Sequence, residues 1–421
     1  MQARLFSALF IAVIAFLPSN LAAGAKERIL YRFTGGTDGG APSSGLIMDA
    51  AGNLYGTTSS GGDLNQCSNL GCGTVFKLTR LSNGKWKEQV LYAFQGGPDG
   101  YDPAGNLVFD AGSNLYGTTS WGGNSANCSA FGCGTVFELS PSSKGTWTKT
   151  VLHNFRNAPD GANPEGDLVF DAAGNLYGAT LGDTIRDYGT VFELSPVRGG
   201  KWRVTVLHNF LGSDGVGPSG VIFDGAGNLL GTTAGGGRSY YGTSYRLSPP
   251  KQKGGKWTET DLYDFHGYGS GGAPLGVIRD SKGNLYGTAA NGGNNFGIVF
   301  EVRPYGSKWK EKMIYNFCSR NNCADGASPL AGLVMDGNGV LYGTTSSGGA
   351  GCSSPGCGAV FKLAHTKNGW KETILYRFRG GSSDGAGPQE RLMFDRTGNL
   401  YGTANVQQGY QGSGVVFEIT P

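Results

Sequence analysis

One unit of sequence occurs seven times in this chain, and that repetition restricts the fold more than any other feature. Its centre is G-N-L-Y-G or a close variant, at 53–56, 114–117, 175–178, 228–231, 284–287, 340–343 and 399–402. A short apolar segment ending in Asp precedes each copy, as in Leu168-Val169-Phe170-Asp171. G-x-V-F-[KE]-L or a variant follows, starting at Gly73, Gly134, Gly189, Gly242, Gly297, Gly358 and Gly414, at intervals of 53 to 61 residues.

Each copy reads as four strands. The first is an apolar run suited to burial on both faces. A tight turn follows, such as Ala172-Ala173-Gly174-Asn175, where Gly and Asn tolerate left-handed dihedrals. The second strand covers 176–180 in the third copy, and the third covers 135–139 in the second copy. The fourth, 86–94, alternates Trp86, Val90, Tyr92 and Phe94 with Lys87 and Gln89, the period-two pattern of a half-wet strand. Four-stranded units in this number predict an all-β fold, a seven-bladed β-propeller. The ends of the chain complement each other. Residues 29–33 are a fourth strand with no preceding partners, and 415–419 a third strand with no successor. Strand 29–33 is therefore expected to complete the last blade and close the ring, which hides the sheet edges.

Residues 1–25 read as a signal peptide: Arg4, an apolar run over 5–17, Pro18, and the small-x-small site Ala23-Gly24-Ala25. The run is short for a retained membrane anchor. Residues 26–421 then form one propeller domain, expected outside the cytoplasm as a secreted or periplasmic product. Gly supplies 76 of 421 residues, yet aromatics stay at 11 %, which separates the chain from low-complexity disorder. A net charge of +3 without basic runs gives no footprint for nucleic acid or an anionic membrane. The eight cysteines pair locally as Cys67/Cys72, Cys128/Cys133, Cys318/Cys323 and Cys352/Cys357, a disulfide pattern in an exported chain and a poor zinc pattern. A ring this short stabilises by only about 2 kcal/mol, so the staples are expected to shape loops and not to hold the fold.

Loops from second to third strand and from fourth to next first strand share one face of a propeller. Here that face carries the long Gly-rich loops and all the cysteines. It also carries D-G-x-x-P, including Asp99, Asp160 and Asp214, absent only from the copy at 269–274. An Asx-type turn explains a residue needed in nearly every blade. A carboxylate ring holding calcium is the alternative, although no D-x-D-x-D-G cluster is present. No metal site is assigned. Tyr101, Trp121, Phe131, Tyr240, Tyr241 and Tyr410 on this face are candidates for stacking on sugar rings, Trp121 above all. His153 and His208 replace fourth-strand tyrosines and read as structural. His266 is the one histidine in a ligand-face loop and the sole candidate for acid–base work. No nucleophile elbow, P-loop or zincin motif occurs.

The run Gly166-Asp167-Leu168-Val169-Phe170-Asp171-Ala172-Ala173-Gly174-Asn175-Leu176-Tyr177-Gly178, followed by Gly189-Thr190-Val191-Phe192, resembles the GloVer tandem repeat of bacterial extracellular proteins. The resemblance implies an exported propeller-like protein and carries no activity. The strand pattern is also similar to that of NHL-type propellers and of secreted propeller lyases and lactonases, whose axial metal-binding acids or His/Glu pair find no match in this sequence. The sequence thus favours a non-enzymatic module binding an extracellular polymer, glycan first, or a protein. The alternatives are a hydrolase or lyase acting on a carbohydrate or lactone, and a structural component of the envelope or matrix. An enzyme needs residues peculiar to a few blades and converging on the axis, whereas the copies read as near-uniform.

Overall fold

In a computed structural model the chain forms a ring of seven antiparallel sheets. The structure describes residues 25–421 except 125–127, 129–130, 183–186, 253, 350–351, 353–355, 382–383 and 406–412. The expected leader, apart from Ala25, and Tyr410 lie outside the described residues. Blades 1 to 6 span residues 40–93, 101–154, 169–209, 216–264, 272–316 and 334–377. Blade 7 joins Met393–Phe394, Leu400–Ala404 and Val415–Thr420 to the N-terminal strand Lys26–Arg32. That strand starts three residues earlier than its sequence pattern indicated, and pairs Ile29 with Phe417 and Tyr31 with Val416. The ring is closed by the two ends of the chain.

The repeat motifs are explained by three local devices. The Asp ending each first strand accepts hydrogen bonds within its own turn. At Asp171 these come from Ala173 N (2.8 Å), Asn175 N (2.9 Å), Asn175 Nδ2 (2.8 Å) and Tyr177 Oη (3.1 Å). The D-x-x-G-N-L-Y spelling is thus one carboxylate satisfied four times. The glycine that ends the motif lies where a β-carbon would sit 2.7 Å from Leu168 and from the Phe192 ring at Gly178. It makes room for the inner-strand leucine. In the outer strand one extra residue, Leu91 in blade 1, bulges between Val90 and Tyr92 and turns Tyr92 toward the next loop.

Packing lies between blades. Seven clusters of buried side chains each draw on two neighbouring blades, such as Leu30, Phe33 and Val416 of blade 7 with Leu46, Leu54 and Phe76 of blade 1. An aromatic pair crosses each seam edge to face, Phe33–Phe76 at 5.0 Å and Phe94–Phe137 at 5.3 Å among them. In blades 1, 3, 4, 6 and 7 the inner strand is shorter than the apolar run suggested, as in blade 3, where only Val169–Phe170 pairs. Towards the axis the backbones crowd, and a β-carbon on Gly166 would come 2.6 Å from the nitrogen of Gly220.

Loop sets are locked together on one face. Gly62 N donates to Gly36 O, Gly123 N to Gly97 O, Gly237 N to Gly212 O and Gly349 N to Cys323 O. Each bond ties a blade's second-to-third loop to its own entry loop. The residue before the entry proline holds a positive φ in all seven blades: Ala41, Asp102, Asn163, Gly217, Ala273, Ser328 and Gly387. Its N–H donates to a carbonyl of the preceding blade, as Asp102 N does to Cys72 O at 3.1 Å. A backbone conformation that costs L-residues energy is therefore held in place by a bond between blades.

The four disulfides form as paired in the sequence. They are expected to shape loops only, and three of them also reach the core between blades. Cys72, Cys133 and Cys357, the second cysteine of each of these pairs, are buried at 1 %, 2 % and 0 % exposure. All three belong to the core clusters between blades, Cys72 beside Phe94, Cys133 beside Phe155 and Cys357 beside Phe378. Position is the cause, because each directly precedes the glycine that opens a third strand, Gly73, Gly134 or Gly358. Their carbonyls take the bonds between blades: Cys133 O accepts Asn163 N and Cys357 O accepts Gly387 N, both at 2.9 Å. These staples therefore fasten a loop to the seam as well as shaping it.

Candidate functional site

The D-G-x-x-P aspartates are built into turns. Asp99 accepts Tyr92 Oη at 2.9 Å and Gln95 N at 2.8 Å. Asp160 pairs with His153 Nε2 at 2.8 Å and accepts Arg156 N, and Asp214 pairs with His208 Nε2 at 2.9 Å and accepts Leu211 N. His153 and His208 occupy the tyrosine's place in the same bond. In the copy without Asp, Ser270 Oγ accepts His266 N at 2.8 Å. Among the described residues no three His, Cys, Asp or Glu side chains are grouped to hold a metal ion.

Blade 2 differs from the others. Its first strand, Tyr101–Phe109, and second, Leu115–Trp121, pair out to their ends, which places Tyr101 directly opposite Trp121. Opposed residues of a pair project to the same side, so both side chains face the same side of the sheet. Blades 1, 4 and 5 put Gly40/Ser60, Val216/Gly235 and Gly272/Asn291 at this station. Phe131 meets Trp121 edge to face at 5.8 Å. Together with Leu70, Gln66 and Gln95 these residues line an open cleft of about 790 Å³ between the loops of blades 1 and 2. Phe131 and Leu70 are 62 % and 69 % exposed, a high figure for apolar side chains that line one cleft. The Cys67–Cys72 disulfide forms one wall, and a β-carbon on Gly96 would come 3.2 Å from both sulfurs. Asp102 lies in the same cleft, and burial raises its carboxyl above the usual range.

A second place lies on the axis. Two or three residues lie between each entry proline and the buried Leu or Val that follows it, and they spell Ser-Ser-Gly, Ala-Gly-Asn, Glu-Gly-Asp, Ser-Gly, Leu-Gly, Leu-Ala-Gly and Gln-Glu-Arg in blades 1 to 7. Charge is confined to blades 3 and 7. Residues from these segments in blades 2 to 7 line a cavity of about 200 Å³. Arg391 of blade 7 reaches across the ring to Asp167 of blade 3 at 3.1 Å, and Asn106 Nδ2 of blade 2 donates to the same oxygen at 3.0 Å. Glu390 is pushed up to about 7 by burial first and then by the charges of Asp167 and Glu165. Burial also raises Glu165, followed by the charge of Asp102, against a hydrogen bond from Ser120. Asp102 thus belongs to the cleft and acts on the axial carboxyls.

A model of the Gloeobacter/Verrucomicrobia repeat matches residues 19–243 and 124–354, most of the chain. The chain belongs to that family. No curated protein matches it. Among solved structures, a protein of unknown function from Dyadobacter fermentans is similar at 12 % identity and a TM-score of 0.44, covering 94 % of this chain and 100 % of its own. A luciferin-regenerating enzyme is similar at 11 % identity and 0.44, covering 94 % and 96 %. At these values neither likeness bears on activity.

For this Gloeobacter/Verrucomicrobia repeat protein, the sequence candidates separate into two groups. Trp121 and Tyr101 come together in the cleft. Tyr240 and Tyr241 lie in the blade 4 loop, 82 % and 40 % exposed. His266 is beside them, with Nδ1 on Ser239 Oγ at 2.7 Å. It is absent from the lining of the axial cavity and has no carboxylate partner among the bonds of the described residues. The four disulfides fit an extracellular or periplasmic setting. Among the described residues no helix is long and apolar enough to cross a membrane. Sequence reading missed the axial set, Glu165, Asp167, Glu390 and Arg391, and with it the asymmetry between blades. The signal was present in the residues that vary between the prolines and the inner strands.

Proposed function

We propose that this protein is an exported carbohydrate-binding propeller that holds a polysaccharide in the cleft between blades 1 and 2. One observation carries the reading: Tyr101 and Trp121 stand at opposed positions, with Phe131 against the Trp121 ring, and blades 1, 4 and 5 have no aromatic residue at this station. Aromatic faces take the C–H face of a sugar ring, while Gln66, Gln95 and Asp102 offer donors and acceptors to its hydroxyls. The cleft volume lies in the range of small-ligand sites, about 300–1,000 Å³. The test is a panel of plant, fungal and bacterial polysaccharides, screened by affinity electrophoresis with and without calcium. Retardation by at least one glycan, abolished in Trp121→Ala, supports the reading. Equal mobility of both proteins on every glycan contradicts it.

A second reading is acid–base chemistry at the axis on a small carbohydrate or lactone. It is favoured by Glu165, Asp167 and Glu390 converging on one cavity, with Glu390 raised to about 7, a suitable value for a proton donor near neutrality. It ranks second because the axial cavity is about 200 Å³ and Asp167 is already engaged by Arg391 and Asn106. Hydrolase activity lost in Glu390→Gln, with glycan retention intact, would reverse the order.

A further inference from the structure

The seams between blades carry a ring of glutamates that neither reading uses. Four residues before each outer-strand Tyr or His stand Glu27, Glu88, Lys149, Val204, Glu259, Glu311 and Glu372 in blades 7 and 1 to 6. Each faces the entry turn left by the preceding blade. Lys149 shows what the station accepts: Nζ bonds Asp99 Oδ1 at 2.8 Å and Asp99 O, over the ring of Tyr92 at 5.4 Å. Glu372 meets a cation as well, Arg320 Nη2 at 2.6 Å. Among the described residues Glu27, Glu88, Glu259 and Glu311 have no such ion pair, and their Oε1 atoms, like that of Glu372, are buried with no hydrogen-bond partner.

We propose that these four glutamates form one proton-operated device, in which protonated carboxyls close the seams and ionised ones loosen the ring. A carboxylate half-buried at a seam loses part of the hydration of its charge, whereas a carboxylic acid can donate, and Asp384, Asp38 and Asp261 stand beside Glu27, Glu88 and Glu259. The groups facing each are consistent with this. Glu27 sees Asp384 and Tyr376, against Arg32 and Arg379; Glu88 sees Asp38 and Tyr31; Glu259 sees Asp261 and Asp214, against His208; Glu311 sees Tyr263. Burial is the main cause that lifts all four to about 7, from an ordinary value of 4.5. Because the folded state holds these protons more tightly than the unfolded chain, their stabilisation is complete below 4.5 and is lost as the pH rises through about 7.

The test combines unfolding of the wild-type protein between pH 4.5 and 8 with the same series on Glu27→Gln, Glu88→Gln, Glu259→Gln and Glu311→Gln combined. Glutamine mimics the protonated acid. Each wild-type glutamate should raise the unfolding constant by up to about tenfold per pH unit inside the window, and the combined variant should lose that part of the slope, keeping only what Glu372 and Glu390, also raised to about 7, contribute. Should that variant not fold, carbon-13 titration of the wild-type glutamate carboxyls decides. Titration near neutrality of the signals assigned to Glu27, Glu88, Glu259 and Glu311 supports the device. An unchanged slope in the variant, or all glutamates titrating near 4.5, overturns it.

Discussion

The two faces of the ring solve the same problem differently. On the tight-turn face every blade uses one carboxylate, from Asp49 to Asp395, to satisfy its own turn, and the solution is repeated almost atom for atom. On the loop-rich face the backbone links recur, but side chains diverge: an aromatic pair in blade 2, axial carboxyls in blades 3 and 7, disulfides in blades 1, 2 and 6. Repetition marks what each blade needs in order to fold. Divergence marks where a ligand can be told from solvent.

The sharpest way to break this contrast is to disturb the repeated side. Gly178→Val would drive its side chain into Leu168 and Phe192 and should cost about 3 kcal/mol, read from denaturant unfolding. Asp171→Ala strands four donors of one turn and should cost about 2–3 kcal/mol, whereas Asp63→Ala in the blade 1 loop should stay within about 0.5 kcal/mol. Acid sharpens the contrast further. Asp49, Asp171, Asp224 and Asp395 are held below their ordinary 3.8 by turn hydrogen bonds that together outweigh burial, the larger single effect. Folded values below unfolded ones mean stability that is present above 3.8 and lost as the pH falls through the folded values. Acid unfolding should therefore begin below about pH 4 and shift upward when Asn175→Ala removes a donor to Asp171. Ala41→Gly, which relieves a positive φ on the loop-rich face, should give the smallest effect, a gain of about 0.5–1 kcal/mol.

Much of the repeated side was legible in the sequence. Seven copies fixed the blade number, the strand order and the closing role of the N-terminal strand, because hydrophobic period and turn chemistry act locally. The diverging side was legible only in part. Trp121 was recognisable as an outlier among small residues, but its pairing with Tyr101 depends on register across 20 residues of hairpin. Cysteine pairing was readable from spacing, but the burial of Cys133 and Cys357 was not, since it depends on the seam that each adjoins. The axial set was overlooked for a physical reason. Glu165 and Glu390 are separated by 225 positions in the chain and meet only because the ring brings blades 3 and 7 to a common axis. A reading centred on the consensus also discards the positions that differ between copies, and those positions line the axis. The seam glutamates stand in the sequence four residues before each tyrosine, yet their burial follows from blade-on-blade packing alone.

On the proposed function, the blade 2 residues Tyr101 and Trp121 are the ligand site. The most direct test is calorimetric titration of the best-retained oligosaccharide into wild-type protein and Trp121→Ala, with thermal unfolding of both. The account predicts at least about a tenfold loss of affinity, or 1.4 kcal/mol, at an unchanged unfolding temperature. Equal affinity in the two proteins would place the ligand elsewhere on the ring and contradict it.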